Sequence, residues 1–196
     1  ETILLLIVWF LGYSGLVYGF SSFFPTFAVE HVHWTAHQLF LWTRILPVPF
    51  IILTFYAVAA IGERYERKTW ALISGTAFAL FVVMISVYTA NWFLVSVTIV
   101  THGMASFWLF TMYNYTSAAY PTRLRSVGTG WTDGVGHLGA IVGTSLLVGR
   151  LFDWTINSGG WGWIWYCAIP GCLLPSVMIF IWGQKQKGMI LEELSP

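Results

Sequence analysis

Asp133 and His137 stand four residues apart in a glycine-rich apolar stretch, GWTDGVGHLGAIVG. On an α-helix that spacing puts a carboxylate and an imidazole on one face. Away from water each is favoured in its neutral form, so each can take up a proton on one side and release it on another. They form the expected proton-coupling pair, or else one of them is a satisfied packing residue. Arg44 and His102 are the other ionisable groups set deep in apolar text. Arg44 either holds a carboxylate by bidentate hydrogen bonding or snorkels to the outer headgroups. His102, His137, Tyr13, Tyr18 and Asn114 complete the expected substrate-binding set, and Tyr113 and Thr111 either face the same cavity or a neighbouring helix. Glu30, His31, His33 and His37 have metal-like spacing, which chance clustering in an exposed loop explains; no metal or cofactor is expected.

Composition identifies the solvent that these groups must avoid. Of 196 residues, 57% are hydrophobic, 18% aromatic and 9% charged. A soluble domain of this size would leave much of that apolar surface in water. The chain therefore reads as a membrane protein. A net charge of +1 removes the electrostatic case for a nucleic-acid partner. Cys167 and Cys172 lie five positions apart on different sides of one helix, which argues against a disulfide or a metal pair.

A span needs about 20 apolar residues, and six such runs are present: 3–29, 38–61, 70–88, 92–118, 128–150 and 161–183, followed by a tail, 184–196. The fold expected is all-α, a polytopic membrane bundle of six transmembrane helices. The first run lacks a basic leader and a small-residue cleavage site, so it reads as a span and not as a signal peptide. Arg64, Arg67 and Lys68, then Arg123 and Arg125, then Lys185 and Lys187 occupy alternate connections. The other connections, 30–37, 89–91 and 152–160, hold no Lys or Arg. The positive-inside rule puts the basic side and the C-terminus in the cytoplasm. Trp34, Trp92, Trp154, Trp161 and Trp163 gather at outer ends, and Trp70 and Trp182 at inner ends, either as an interfacial belt or as packing.

At 1.5 Å per residue, His102 lies about 15 Å below the outer end of its run and His137 about 14 Å above the inner end of the next. Both reach the midplane, where transporter sites lie. Because the two helices are consecutive and antiparallel, the imidazoles are expected on one cavity wall. Asp133 lies roughly 8 Å from the inner end and Arg44 roughly 9 Å from the outer end, which argues against a direct pair. Arg150, with Asp153 three positions on, reads as a surface pair.

Between the fourth and fifth runs, Tyr120-Pro121-Thr122-Arg123 with Arg125 precedes Gly128 and Gly130. This segment resembles the fourth-helix tail, P-E-x-Y-P-T-x-x-R-x-x-G-x-G, in C-terminal halves of the major facilitator superfamily, most closely the metabolite-proton symporter and sugar-porter branches. Gly62-Glu63-Arg64-Tyr65-Glu66-Arg67-Lys68 is similar to the superfamily's loop signature D-R-x-G-R-R, and Lys187-Gly188 through Leu194 to its closing K-G-x-x-L-E-E. Departures are Ser117 and Ala118 for proline and glutamate, Glu66 for the loop glycine and Glu63 for the aspartate; the usual loop-to-helix salt bridge thus lacks its glutamate.

The resemblance implies helices seven to twelve of a twelve-helix transporter, with a separate N-terminal half as partner. It implies secondary active transport of a small organic solute by alternating access, coupled to a proton, in the cell membrane. The arginine and histidines favour an organic anion, while the aromatics also suit a sugar or an aromatic acid. In symporters of these branches the main proton carrier often lies in the other half. A scaffold or receptor of the same ancestry remains an alternative. So does an intramembrane serine protease built on Gly12-Tyr13-Ser14-Gly15, although its serine and histidine would come in the wrong helix order.

Pro121 lacks an N–H and disfavours helix at Tyr120, so the chain must turn there. Glu63, Arg64, Glu66, Arg67, Arg123 and Arg125, with Glu192 and Glu193, are the expected cytoplasmic gate; the alternative is a solvated loop that only sets topology. Gly130, Gly134, Gly139 and Gly143, and Gly15 and Gly19, are expected to admit neighbouring helices. Pro47, Pro49, Pro170 and Pro175 are expected to bend the second and sixth helices.

Overall fold

The computed structural model describes residues 1–62, 64–158, 160 and 162–187, with the backbone alone at 146–148, 151, 152, 155, 156, 158, 162–164, 167 and 168. Glu63, Trp161, Glu192, Glu193 and the tail signature beyond Lys187 lie outside the described residues, as do the side chains of Trp163 and Cys167.

Six helical rods account for nearly all of the described chain. The first comprises α1 (Thr2–Gly12), a π-helical turn π1 (Tyr13–Val17) and α2 (Tyr18–Glu30). The second comprises α3 (Ala36–Phe40), π2 (Leu41–Ile45) and α4 (Pro47–Ile61). Single helices α5 (Arg67–Val87) and α6 (Asn91–Ala119) form the third and fourth. The fifth comprises α7 (Arg125–Val142), π3 (Gly143–Val148) and α8 (Gly149–Ser158), and the sixth is α9 (Gly162–Trp182). The first four rods are each long and apolar enough to cross a bilayer. The protein is a multi-pass, all-helical membrane protein.

The fifth rod corrects the sequence reading. It starts at Arg125 and runs without a break to Ser158, whereas a span of 128–150 followed by an outer loop was expected. Nothing between Arg150 and Ser158 is glycine or proline, so no residue there forces an exit from the helix. The stop comes later, where Gly160 takes φ +83°, a conformation costly for other residues.

Prolines explain one of the π-turns. Pro47 and Pro49 cannot donate to the carbonyls of Thr43 and Ile45. The turn before them widens instead, and the Leu46 N–H reaches back five residues to the Leu41 carbonyl at 3.0 Å. Pro170 and Pro175 sit inside α9, which remains one helix.

The glycines expected to admit neighbours divide, and Gly19 admits none: a Cβ there would meet only the Ser14 carbonyl of its own rod, across the wide π1 turn. A Cβ on Gly139 would overlap the Phe10 backbone, one on Gly143 would overlap Ser14, and one on Gly15 would overlap the backbone of Gly171. Backbones therefore approach closely where α7 crosses the first rod and where π1 crosses α9. Gly130 and Gly134 instead face open space.

Trp9, Trp108, Trp165, Phe24 and Phe78 are fully buried. With no water to satisfy polar groups in a bilayer, the Trp9 indole donates to Thr116 Oγ1 at 2.8 Å. Trp34 is buried too and donates to Asn91 Oδ1 at 2.8 Å, tying the connection after α2 to the start of α6. It is a packing residue, whereas Trp92, Trp154 and Trp182 are exposed as belt residues would be.

At the opposite end, Gln186 is buried and forms a latch. Its amide donates to the Tyr115 carbonyl at 2.9 Å and accepts from Arg67 Nη1 at 3.2 Å. Glu66 accepts from the backbone N–H groups of Gln186 and Lys187 at 3.0 and 3.2 Å. Lys68 Nζ donates to the Gly183 carbonyl at 2.9 Å, and Lys187 Nζ to that of Arg64 at 2.7 Å. Replacing Gln186 by Ala removes both of its side-chain bonds, to the Tyr115 carbonyl and from Arg67, at a cost of about 1–3 kcal/mol. A thermal melt of detergent-solubilised protein should show the midpoint fall; an unchanged midpoint would mean the latch contributes nothing to stability.

Candidate functional site

Of the expected site residues, Tyr13, Tyr18, Asp133 and His137 come together, and Tyr113 joins them. The centre is Asp133 on α7. Its Oδ1 accepts from the Tyr13 hydroxyl at 2.7 Å and from the Tyr113 hydroxyl at 2.5 Å, and the two phenols lie 3.0 Å apart. Three rods thus meet on one carboxylate oxygen. The Asp133 Oδ2 faces His137 Nδ1 at 3.6 Å, and the same nitrogen lies 3.0 Å from the Asp133 carbonyl. The His137 side chain is 52% exposed and that of Asp133 31%, so both remain open to the space beside α7.

The π1 turn explains how Tyr13 and Tyr18 share this site. Five residues apart on an α-helix, they would point about 140° away from each other. In π1 the Tyr18 N–H bonds to the Tyr13 carbonyl, and the wider turn brings the two rings to 5.3 Å. Both then meet the His137 imidazole, at 4.8 Å from Tyr13 and 5.9 Å from Tyr18. The Tyr18 hydroxyl stands 3.5 Å from His137 Nε2. Trp9 closes the inner side, 5.3 Å from Tyr13 and 4.6 Å from Tyr113. Helical interruptions of this type are frequent at functional sites.

His102 does not share that wall. It lies against Phe20, ring to ring at 5.6 Å, with Nδ1 2.8 Å from the Thr98 carbonyl. The expectation came from adjacency in sequence, but α7 packs chiefly on α1 and π1 and only lightly on α6. The first rod therefore lies between the two imidazoles. Arg44, exposed on π2, is within electrostatic reach of His102, so these two form a separate group. Asn114 is exposed near the C-terminal end of α6, and its carbonyl accepts from Arg67 Nη1 at 3.2 Å.

The expected gate residues also divide. Arg64, Glu66 and Arg67 belong to the latch, whereas Arg125 Nη2 donates to Thr122 Oγ1 at 3.3 Å and Arg123 is exposed. Ser14 is buried with its hydroxyl against Gly143, not facing a histidine.

An open pocket of about 530 Å³ adjoins the carboxylate, with Tyr113 and Asp133 at one end and Arg125 and Ser126 at the other. The arrangement is a carboxylate whose hydrogen-bond partners come from different rods, beside an open space.

The chain is similar to two transport proteins. It is 32% identical over 156 residues to the "Putative metabolite transport protein YyaJ" of Bacillus subtilis (strain 168), a match that covers 76% of this chain and 32% of that protein. It is 28% identical over 121 residues to "Solute carrier family 22 member 7" of Mus musculus, covering 62% of this chain and 22% of that protein. The chain thus spans a third or less of the length of these relatives. No family model matches it, and no solved structure does. These similarities support a non-enzymatic membrane transporter.

Proposed function

We propose that this chain is the C-terminal half, helices seven to twelve, of a major facilitator superfamily transporter. It works with an N-terminal six-helix half in the cell membrane, basic connections and C-terminus inside, and moves a small organic anion by alternating access coupled to a proton. The observation that carries the proposal is Asp133, a carboxylate bound by phenols from two other rods and open to a pocket. Protonation of Asp133 weakens its hold on Tyr13 and Tyr113, because a neutral carboxyl is a poorer acceptor than a carboxylate. The fifth rod is then free to shift against the first and fourth. His137 relays the proton, and Arg44 with His102 attracts the anion at the outer entrance. The latch and the Arg123–Arg125 turn close the inner gate, with Glu63 as the acidic partner of Arg123.

The test is uptake into proteoliposomes of the full-length protein under an imposed pH gradient, with a panel of radiolabelled carboxylates. Accumulation that an uncoupler collapses is the expected result. Failure of every carboxylate would refute the anion assignment. For the gate, charge-swapping Glu63 and Arg123 separately should impair transport and swapping both should restore it; purely additive effects would dismiss that pairing.

A facilitator for a sugar or an aromatic acid is the second reading. It is favoured by the rings of Trp9, Tyr13, Tyr18 and Tyr113 that surround the carboxylate. Uptake that equilibrates without accumulating, indifferent to an uncoupler, would favour it.

A further inference from the structure

Trp9 and Tyr13 stand four residues apart in the first rod, and Tyr113 and Thr116 three apart on α6, so each pair shares one helical face. The α-helical register still holds at Tyr13, whose N–H reaches the Trp9 carbonyl. The two faces meet as a ladder with two rungs. In one, the Tyr13 and Tyr113 hydroxyls stand 3.0 Å apart and both donate to Asp133 Oδ1. In the other, the Trp9 indole donates to Thr116 Oγ1 at 2.8 Å. Only the first rung includes a carboxylate. The second is neutral and dry, because Trp9 and Thr116 are both fully buried, and an indole N–H in such a place is costly to leave unpaired. The indole also supports the rings of the first rung. Tyr113 is half-buried, and Trp9, at 4.6 Å, is its one aromatic neighbour among the described residues. Tyr13 lies 5.3 Å from Trp9 and is seated on Gly136, where a Cβ would overlap its ring. Trp9 in turn meets Trp108 edge-on at 6.3 Å. Side-chain rotation swings a phenol hydroxyl far from any one point, so two phenols that meet on one oxygen need a common support.

We infer that Trp9 and Thr116 are a positioning pair: their hydrogen bond fixes the indole against which Tyr13 and Tyr113 are aimed at Asp133 Oδ1. Fully buried, they do not meet solute and act through the phenols. This role rests on the coupling reading of Asp133 and adds to it the part that stays in place. Protonation loosens the carboxylate rung, while the neutral rung holds the first and fourth rods in register for its return. The titratable and charged groups around Asp133 are His137 on its own helix, Tyr13 and Tyr113 from the two rods, Tyr18 beyond His137, and Arg125 at the other end of the pocket. A substitution at Thr116 replaces none of them.

The test places 3-fluorotyrosine at position 113 of the full-length protein in phosphatidylcholine nanodiscs and follows its fluorine resonance. Asp133→Asn displaces the resonance and so marks the shift that a weakened phenol–carboxylate contact produces. Thr116→Val keeps the shape of the side chain and removes the acceptor, and it is expected to displace the resonance in the same sense. Thr116→Ser, which keeps the acceptor, is expected to restore the parent position. Because the pair acts through the contact with Asp133, Thr116→Val should add little further displacement in an Asp133→Asn background. Trp9→Phe removes the indole N–H from the other side of the bond and should reproduce the effect, so the test does not depend on one variant folding. A resonance unmoved by Thr116→Val and Trp9→Phe overturns the positioning role. So does a displacement that adds in full to that of Asp133→Asn, since the substitution would then act on the ring and not on its contact. A role in stability alone changes the yield of folded protein and leaves its resonance in place. The measurement requires no solute and no turnover. A protein that shows the expected displacements yet accumulates no carboxylate would refute the transport reading and leave the positioning pair standing.

Discussion

Asp133→Asn is expected to reduce proton-driven accumulation by at least about tenfold, while exchange of labelled for unlabelled solute across the same vesicles persists. The reasoning is local. Asparagine keeps an oxygen that can accept from Tyr13 and Tyr113, so the three-rod contact survives in weaker form. What it loses is the charge change that lets a proton alter the strength of that contact, and charged acceptors bind about twice as strongly as neutral ones. Exchange needs only the loaded carrier to reorient, so it does not require the missing titration. Asp133→Glu should recover part of the accumulation, limited by the displaced carboxylate. Equal loss of exchange and accumulation in the asparagine variant would make Asp133 a structural residue and remove it from coupling.

Gly139→Val should be the most damaging single substitution in the membrane interior. The added Cβ would overlap the Phe10 backbone, not the end of a flexible side chain. Relief therefore requires α7 to move off α1. Overpacking of a tight site costs about 1–3 kcal/mol, and a backbone obstacle places this case at the upper end or beyond. The contrasting variant is Gly134→Ala, five residues earlier on the same helix, whose methyl meets nothing within 4 Å. It should leave the melting midpoint unchanged or slightly raised through helix propensity. Thermal melts and size-exclusion profiles of both variants check the pair. Equal behaviour would mean that α7 does not pack on the first rod as described.

Much of the framework could be read directly from residues. Long apolar runs give the rods, because a bilayer requires about 20 such residues per span, and the first four rods agree with those runs to within three residues at each end. Asp133 and His137 could be picked out as rare ionisable groups in apolar text, and their i,i+4 spacing places them together on α7. What the sequence did not disclose was the neighbour of α7. Adjacency in the chain suggested α6, whereas glycines at 139 and 143 seat α7 on the first rod, so His102 falls in a different group. Tyr113 as a ligand of Asp133 required knowing which face of α6 turns inward, and the weak amphipathicity of membrane helices hides that. The π1 turn had no flanking proline to announce it, unlike π2 before Pro47. Its one sequence signal was a pair of tyrosines five apart, which an ideal α-helix would have kept on different faces.

The coupling claim is tested most directly by trapping a pH-sensitive dye inside proteoliposomes of the full-length protein and adding a carboxylate outside, with no gradient imposed. The account predicts that solute entry acidifies the lumen, and that Asp133→Asn abolishes the acidification while labelled solute still exchanges. Solute accumulation with an unchanging lumen pH, or acidification that survives in Asp133→Asn, would contradict it.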